Sequence, residues 1–175
     1  MKTLFFSCMA LFIQFTDQNI EKFLGVNINE LSTELLHNTL KEGSIYWILN
    51  KSKEEFYGHE YNRIIFTTDN KDVIESIDLI FPGIVLDLQK KLEEGHYGKA
   101  NKNFIIDKVE EGEEIETDFA FIKESYIVLK EDGHNTGTNP FLVHWYKENF
   151  FIKLLFDYDN NKTSILFSVN EGPTP

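Results

Sequence analysis

The chain has 175 residues, room for one domain and too few for two ordinary ones, and 42% of them are hydrophobic, which excludes a disordered chain. Its 29 acidic residues against 17 lysines and arginines leave a net charge of −12. A surface of that sign repels a phosphate backbone and excludes a nucleic-acid partner.

Met1–Thr16 carries one positive charge, Lys2, then an apolar run from Leu4 to Phe15, then the polar stretch Thr16–Asn19. This is the layout of a short secretory signal, and the run is too short to span a bilayer. The alternative is a first strand or helix of the domain itself. Cys8 is the only cysteine, so a disulfide framework and a cysteine-built zinc site are excluded. Ser7-Cys8 also allows lipidation, and only then is membrane contact expected. Removing the leader leaves a cysteine-free chain suited to an oxidising compartment. Export to a periplasm or medium is the expectation, with a cytoplasmic protein as the alternative.

Residues 17–170 read as a single α+β domain with halves at 20–80 and 81–170. Asn19–Leu24 fits one short helical turn. Ile28, Leu31, Leu35, Leu36 and Leu40 have helix spacing, with Asn27 or Asn29 as cap and Gly43 as stop. A second helix is predicted over Ile84–Glu94, with Leu88 and Leu92 four apart and Gly95 ending it. Arg63–Thr67 and Val73–Phe81 flank the turn-rich Thr68–Asp72, a hairpin pattern whose core face holds Val73, Ile77, Leu79 and Phe81. Phe104–Val109 and Tyr126–Lys130 are further strands. Phe141–Tyr146, Phe150–Asp157 and Thr163–Val169 form a three-stranded meander. The tail Glu171–Pro175 carries two prolines and is expected to fray. The fold class is α+β: mostly antiparallel sheet, with two or three short helices on one face.

The order of elements hints at repetition. Phe23-Leu24-Gly25-Val26 leads to a predicted helix and strands; Phe81-Pro82-Gly83-Ile84 does the same. Together with Tyr97-Gly98-Lys99-Ala100 after the second helix and a strand bearing Trp145, this resembles the repeat of the beta-lactamase-inhibitor-protein class. It is also similar to the small lipoprotein of the outer-membrane barrel-assembly machinery. Ala100 stands where that pattern commonly has proline, and the first unit has Trp47 but no Gly-Lys-Pro step. The resemblance implies two helix-plus-sheet repeats and a fold used for binding.

Signatures of chemistry are few. The five histidines (His37, His59, His96, His134, His144) have no metal-ligand spacing. Asp157-Tyr158-Asp159-Asn160-Asn161 opens like a calcium loop, but Lys162 and Ser168 fill the positions that need Gly and Glu, so a hairpin turn is expected. No nucleophile elbow, P-loop or dinucleotide fingerprint is present. Glu131–Pro140 reads as a recognition loop or a solvated connection. No catalytic residue, metal or cofactor is assigned, although with 29 acids a carboxylate pair is always near at hand.

The most distinctive feature is the acidic run, with Glu110, Glu111, Glu113, Glu114, Glu116 and Asp118 in nine positions. Such a run must sit in solvent, as a loop or hairpin tip. It also forms an electrostatic footprint for a basic partner, with Phe119, Phe121 and Tyr126 nearby as anchors. Trp47, Tyr57 and Tyr61 belong to an aromatic cluster that is either a second anchor or one edge of the core. The expected function is a non-catalytic protein-binding module, of inhibitor or immunity type, acting on a basic protein. The alternatives are an envelope-associated accessory protein and a small hydrolase or carbohydrate-binding module that uses carboxylates.

Overall fold

A computed structural model describes residues 20–31, 36–41, 44–49, 54–117, 120–132 and 139–170. Met1–Thr16, where a leader is predicted, with Cys8, most of the Glu131–Pro140 stretch, Asp118, Phe119, and Glu171–Pro175 lie outside the described residues. In chain order the elements are β1 (Leu36–Lys41), β2 (Ser44–Leu49), β3 (Glu54–Phe56), β4 (His59–Tyr61), β5 (Arg63–Thr68), β6 (Ile74–Pro82), α1 (Asp87–Glu94), β7 (Lys102–Thr117), β8 (Ala120–Glu131), β9 (Leu142–Tyr146), β10 (Phe150–Asp157) and β11 (Lys162–Val169).

Nine strands form one antiparallel sheet in the order β1-β2-β5-β6-β11-β10-β9-β7-β8, and β3-β4 form a separate hairpin. Alternation along β5, β6, β9, β10 and β11 puts one side of the sheet into the core. The register aligns the buried residues into rungs that cross the sheet: Trp145, Ile152, Phe167, Ile77 and Phe66 in one, Val143, Leu154, Ile165, Leu79 and Ile64 in the next. Over this face lie Leu88 and Leu92 of α1, Phe56 and Tyr61 of the small hairpin, and Ile20, Phe23, Ile28 and Leu31 of the N-terminal turns.

The fold is mostly antiparallel sheet, as expected, but the helices are fewer. Among the described residues there is one α-helix, α1, and two 3-10 turns at Ile20–Phe23 and Ile28–Glu30. The first of these turns falls where one short turn is predicted. The helix predicted over Asn27–Leu40 is absent: Asn27 caps only a 3-10 turn, and Leu36–Lys41 is strand. His37, Asn38 and Thr39 are poor helix formers. Pairing with the apolar, β-branched and aromatic β2 outweighs the helical spacing of the leucines. With that helix goes the helical start of the first of the two predicted repeats.

β6 carries a second correction. Its buried residues are Ile74, Ile77, Leu79 and Phe81, and Val73 instead bridges to Asn27 before the strand begins. A register shift opposite Thr67 and Thr68 inserts an extra residue, which changes the parity of the core face. The turn before β6 is held by Asp69, whose Oδ1 accepts the N–H groups of Lys71 and Val73 at 2.8 and 2.9 Å. The Asp157–Asn161 segment is the predicted hairpin turn: Asp157 Oδ1 accepts the Asn160 N–H at 3.1 Å.

The segment after α1 is tied down by its own side chains. Trp145 Nε1 donates to the Gly98 carbonyl at 2.8 Å, so the Tyr97-Gly98 step and the tryptophan strand do meet. Gly98 has φ +66°, which favours glycine. The Tyr97 hydroxyl donates to Glu21 at 2.7 Å and clamps the first 3-10 turn to this segment. At the end of α1, a Cβ on Gly95 would stand 2.7 Å from the Tyr57 ring, so that close approach requires glycine.

Candidate functional site: the β7–β8 arm

β7 and β8 are the longest strands, at 16 and 12 residues. β9 pairs with β7 only over Lys102, Asn103 and Phe104. From Ile105 outward the β7–β8 pair continues with no described strand beside it, a two-stranded arm about 40 Å long at ~3.3 Å per residue. Its base is anchored by backbone bonds from Asp132 N–H to the Asn103 carbonyl and from Phe141 N–H to the Phe104 carbonyl, both 2.8 Å. The Lys102–Glu131 ion pair spans the two strands there at 3.3 Å.

The arm is unlike the rest of the sheet in two ways. Residues 105–131 hold nine acids and three lysines, a net −6 that is half of the chain's −12. The arm also exposes large apolar side chains: Val109 is 61% exposed, Tyr126 55%, Ile127 43% and Ile106 40%. Residues paired across an antiparallel ladder point to the same face. Ile106–Leu129 and Val109–Ile127 therefore share one face, and Lys108–Val128 and Glu110–Tyr126 share the other.

The acidic run thus lies on the outer length of a strand rather than in a loop. Glu110, Glu111, Glu113, Glu114 and Glu116 all belong to β7. Glu110 and Glu111 are exposed and, as neighbours in the strand, point to opposite sides, so they repel each other less than a one-sided pair would. Lys108 pairs with Glu110, and Glu114 stands opposite Lys123 in the register.

The aromatic cluster does not join this site. Trp47 is in β2, paired with Phe66, six strands away in the sheet order, about 29 Å at the usual spacing. Tyr61 is 2% exposed, its ring edge-on to Phe81. Tyr57 packs on Phe56 and Tyr97, and its hydroxyl accepts the His96 N–H at 3.3 Å. Tyr57 and Tyr61 are core-edge packing, and the exposed aromatic among the arm's described side chains is Tyr126. Sequence reasoning passed over Val109 and Ile127 because an apolar strand residue usually faces a core. The signal was there in Tyr126-Ile127-Val128-Leu129, which does not alternate as a one-faced strand should.

Elsewhere the titratable groups have structural partners or are isolated. His59 Nε2 lies 3.1 Å from Asp87 and 2.9 Å from Lys91 Nζ on the surface beside α1. Burial opposes it, but Lys91 and His59 hold the Asp87 carboxyl below its usual range. On the sheet face away from the core, Asp78 sits between Ile65 and Leu166, and its Oδ1 makes no hydrogen bond. Burial raises its carboxyl to about 7, against a smaller opposing pull from Lys162. On the same face, burial and then Lys153 and Lys102 lower the His144 imidazole. Among the described residues no group of three or more His, Cys, Asp or Glu is placed to hold a metal ion, and no helix is long and apolar enough to cross a membrane. Comparison of the chain with protein-family models, curated proteins and solved structures finds no match.

Proposed function

We propose that the chain is a non-catalytic protein-binding module, of the inhibitor or immunity type, that docks a basic partner through the β7–β8 arm. The observation that carries this reading is the arm itself, where exposed Val109, Ile127 and Tyr126 stand among carboxylates on a ribbon that the core does not use. Apolar area supplies affinity once water is expelled, and the carboxylates supply steering. The combination suits a partner with lysines or arginines around an apolar centre, because such a surface is attracted at long range and desolvated only on contact.

The test is kinetic. Replacing Glu110, Glu111, Glu113 and Glu114 by Gln lowers the arm's charge from −6 to −2. Association with the basic protein recovered by affinity capture should slow by about tenfold or more at low salt and converge with the parent chain at high salt. An unchanged association rate constant at low salt would remove the acidic arm from the mechanism.

A further inference from the structure

β8 ends the strand order of the nine-stranded sheet, so its outer edge has no described strand against it. Alternate residues of an edge strand turn their N–H and C=O groups away from the sheet and can pair with another chain. Folded proteins usually blunt such an edge with a bulge, a proline or closely set charges. Both register shifts of the arm fall in β7, where Asp107 and one residue of the Glu111–Glu114 segment are extra. β8 itself runs without a bulge or proline from Ala120 to Glu131, and Ser125–Leu129 at its centre bears no charge.

We propose that the partner binds by adding one of its own strands to the outer edge of β8, and that this strand carries lysine or arginine together with aliphatic residues. The proposal rests on the reading of the arm as a docking site and specifies its mode. That composition follows from the arm's net charge of −6 and from its exposed apolar residues. On one face, Ile106, Val109, Ile127 and Leu129 form an apolar strip, and Glu111 stands opposite Ser125 further along it. On the other, Glu110 stands opposite Tyr126, next to the Lys108–Val128 pair, so either face of an added strand meets carboxylate and apolar positions together. Main-chain hydrogen bonds give such a complex its affinity, and the alternate side chains give its specificity. A second copy of this chain is the wrong occupant, because it would set an arm of −6 against an arm of −6.

The probe is a ten-residue peptide of alternating lysine and valine, compared with the same peptide N-methylated at every second amide so that it cannot pair along one edge. Binding to the full chain is read by titration calorimetry and by amide exchange in β8. The expected result is salt-sensitive binding, slower exchange at alternate amides within 121–131, and at least tenfold weaker binding of the methylated peptide. Equal binding of both peptides, weakened by the four Glu→Gln changes, would overturn strand addition while leaving the arm as a docking site. Binding that is insensitive to those changes, or no binding, would overturn strand addition and count against the acidic arm as well. A dimer of the chain alone by light scattering, with protected β8 amides, would assign the edge to a second copy and overturn the proposal.

Discussion

The β10–β11 and β7–β8 hairpins belong to one sheet and draw on the same apolar residues, yet one is the centre of the core and the other stands outside it. β10 and β11 are eight residues each, pair without a register shift, and alternate between buried and half-buried positions from Phe151 to Asp157 and from Lys162 to Ser168. Each has a second neighbour, β9 or β6, so the five rungs from Phe151 to Leu155 are continued on both sides. β7 and β8 are longer, shift register twice, and have apolar residues on both faces. An apolar residue in a strand belongs to the core only if the strand has a layer above it and neighbours beside it. Length beyond the last neighbour turns the same residues into surface.

The largest effect that would break this contrast is expected in the core hairpin's rung. Trp145→Ala removes a fully buried ring and leaves the Gly98 carbonyl without its donor, and should cost about 3–5 kcal/mol by urea unfolding. A loss near zero would mean that the rungs do not carry the fold.

A smaller effect probes the other side of the same core strands. Asp78 titrates in the folded protein at about 7, above an unfolded aspartate near 3.8. The folded state therefore holds the proton more tightly. The stability this contributes is complete below about pH 4 and is lost as pH rises through 7. Asp78→Asn should flatten stability between pH 4 and 7 and raise it at pH 8 by about 2 kcal/mol. An unchanged pH profile of the melting temperature would show that Asp78 is solvated.

The smallest effect belongs to the arm. Ile127→Thr should change stability by no more than about 0.5 kcal/mol, because the side chain is already exposed. A cost comparable to that of a core residue would erase the distinction between the two hairpins.

These differences explain which parts of the molecule could be read from its residues. The C-terminal meander and α1 were legible because alternation and Leu88–Leu92 spacing report burial directly. Asn27–Leu40 was misread because leucine spacing says nothing about the neighbouring strand that competes for the segment. Val73 was misplaced because a one-residue bulge reverses facing, and a bulge has no reliable mark in sequence. At the candidate site the exposure of Glu110 and Glu111 was legible in the acidic run. Tyr126 was legible as an anchor beside it, but Val109 and Ile127 were not, since only the shortness of β9 leaves them uncovered.

The position of β11 has a consequence for how the chain assembles. It follows every other described strand in sequence, yet it is the fifth of nine in the sheet, between β6 and β10. Until β11 is in place, the β1–β6 and β7–β10 groups are separate sheets, each with an apolar edge open to solvent. Its pairing with β6 closes a loop from Pro82 to Lys162, an entropic cost borne late and for long-range contacts. A chain stopped before β11 is therefore expected to hold two unsealed half-sheets prone to misassociation, with one eight-residue strand as the stitch that makes them a single body.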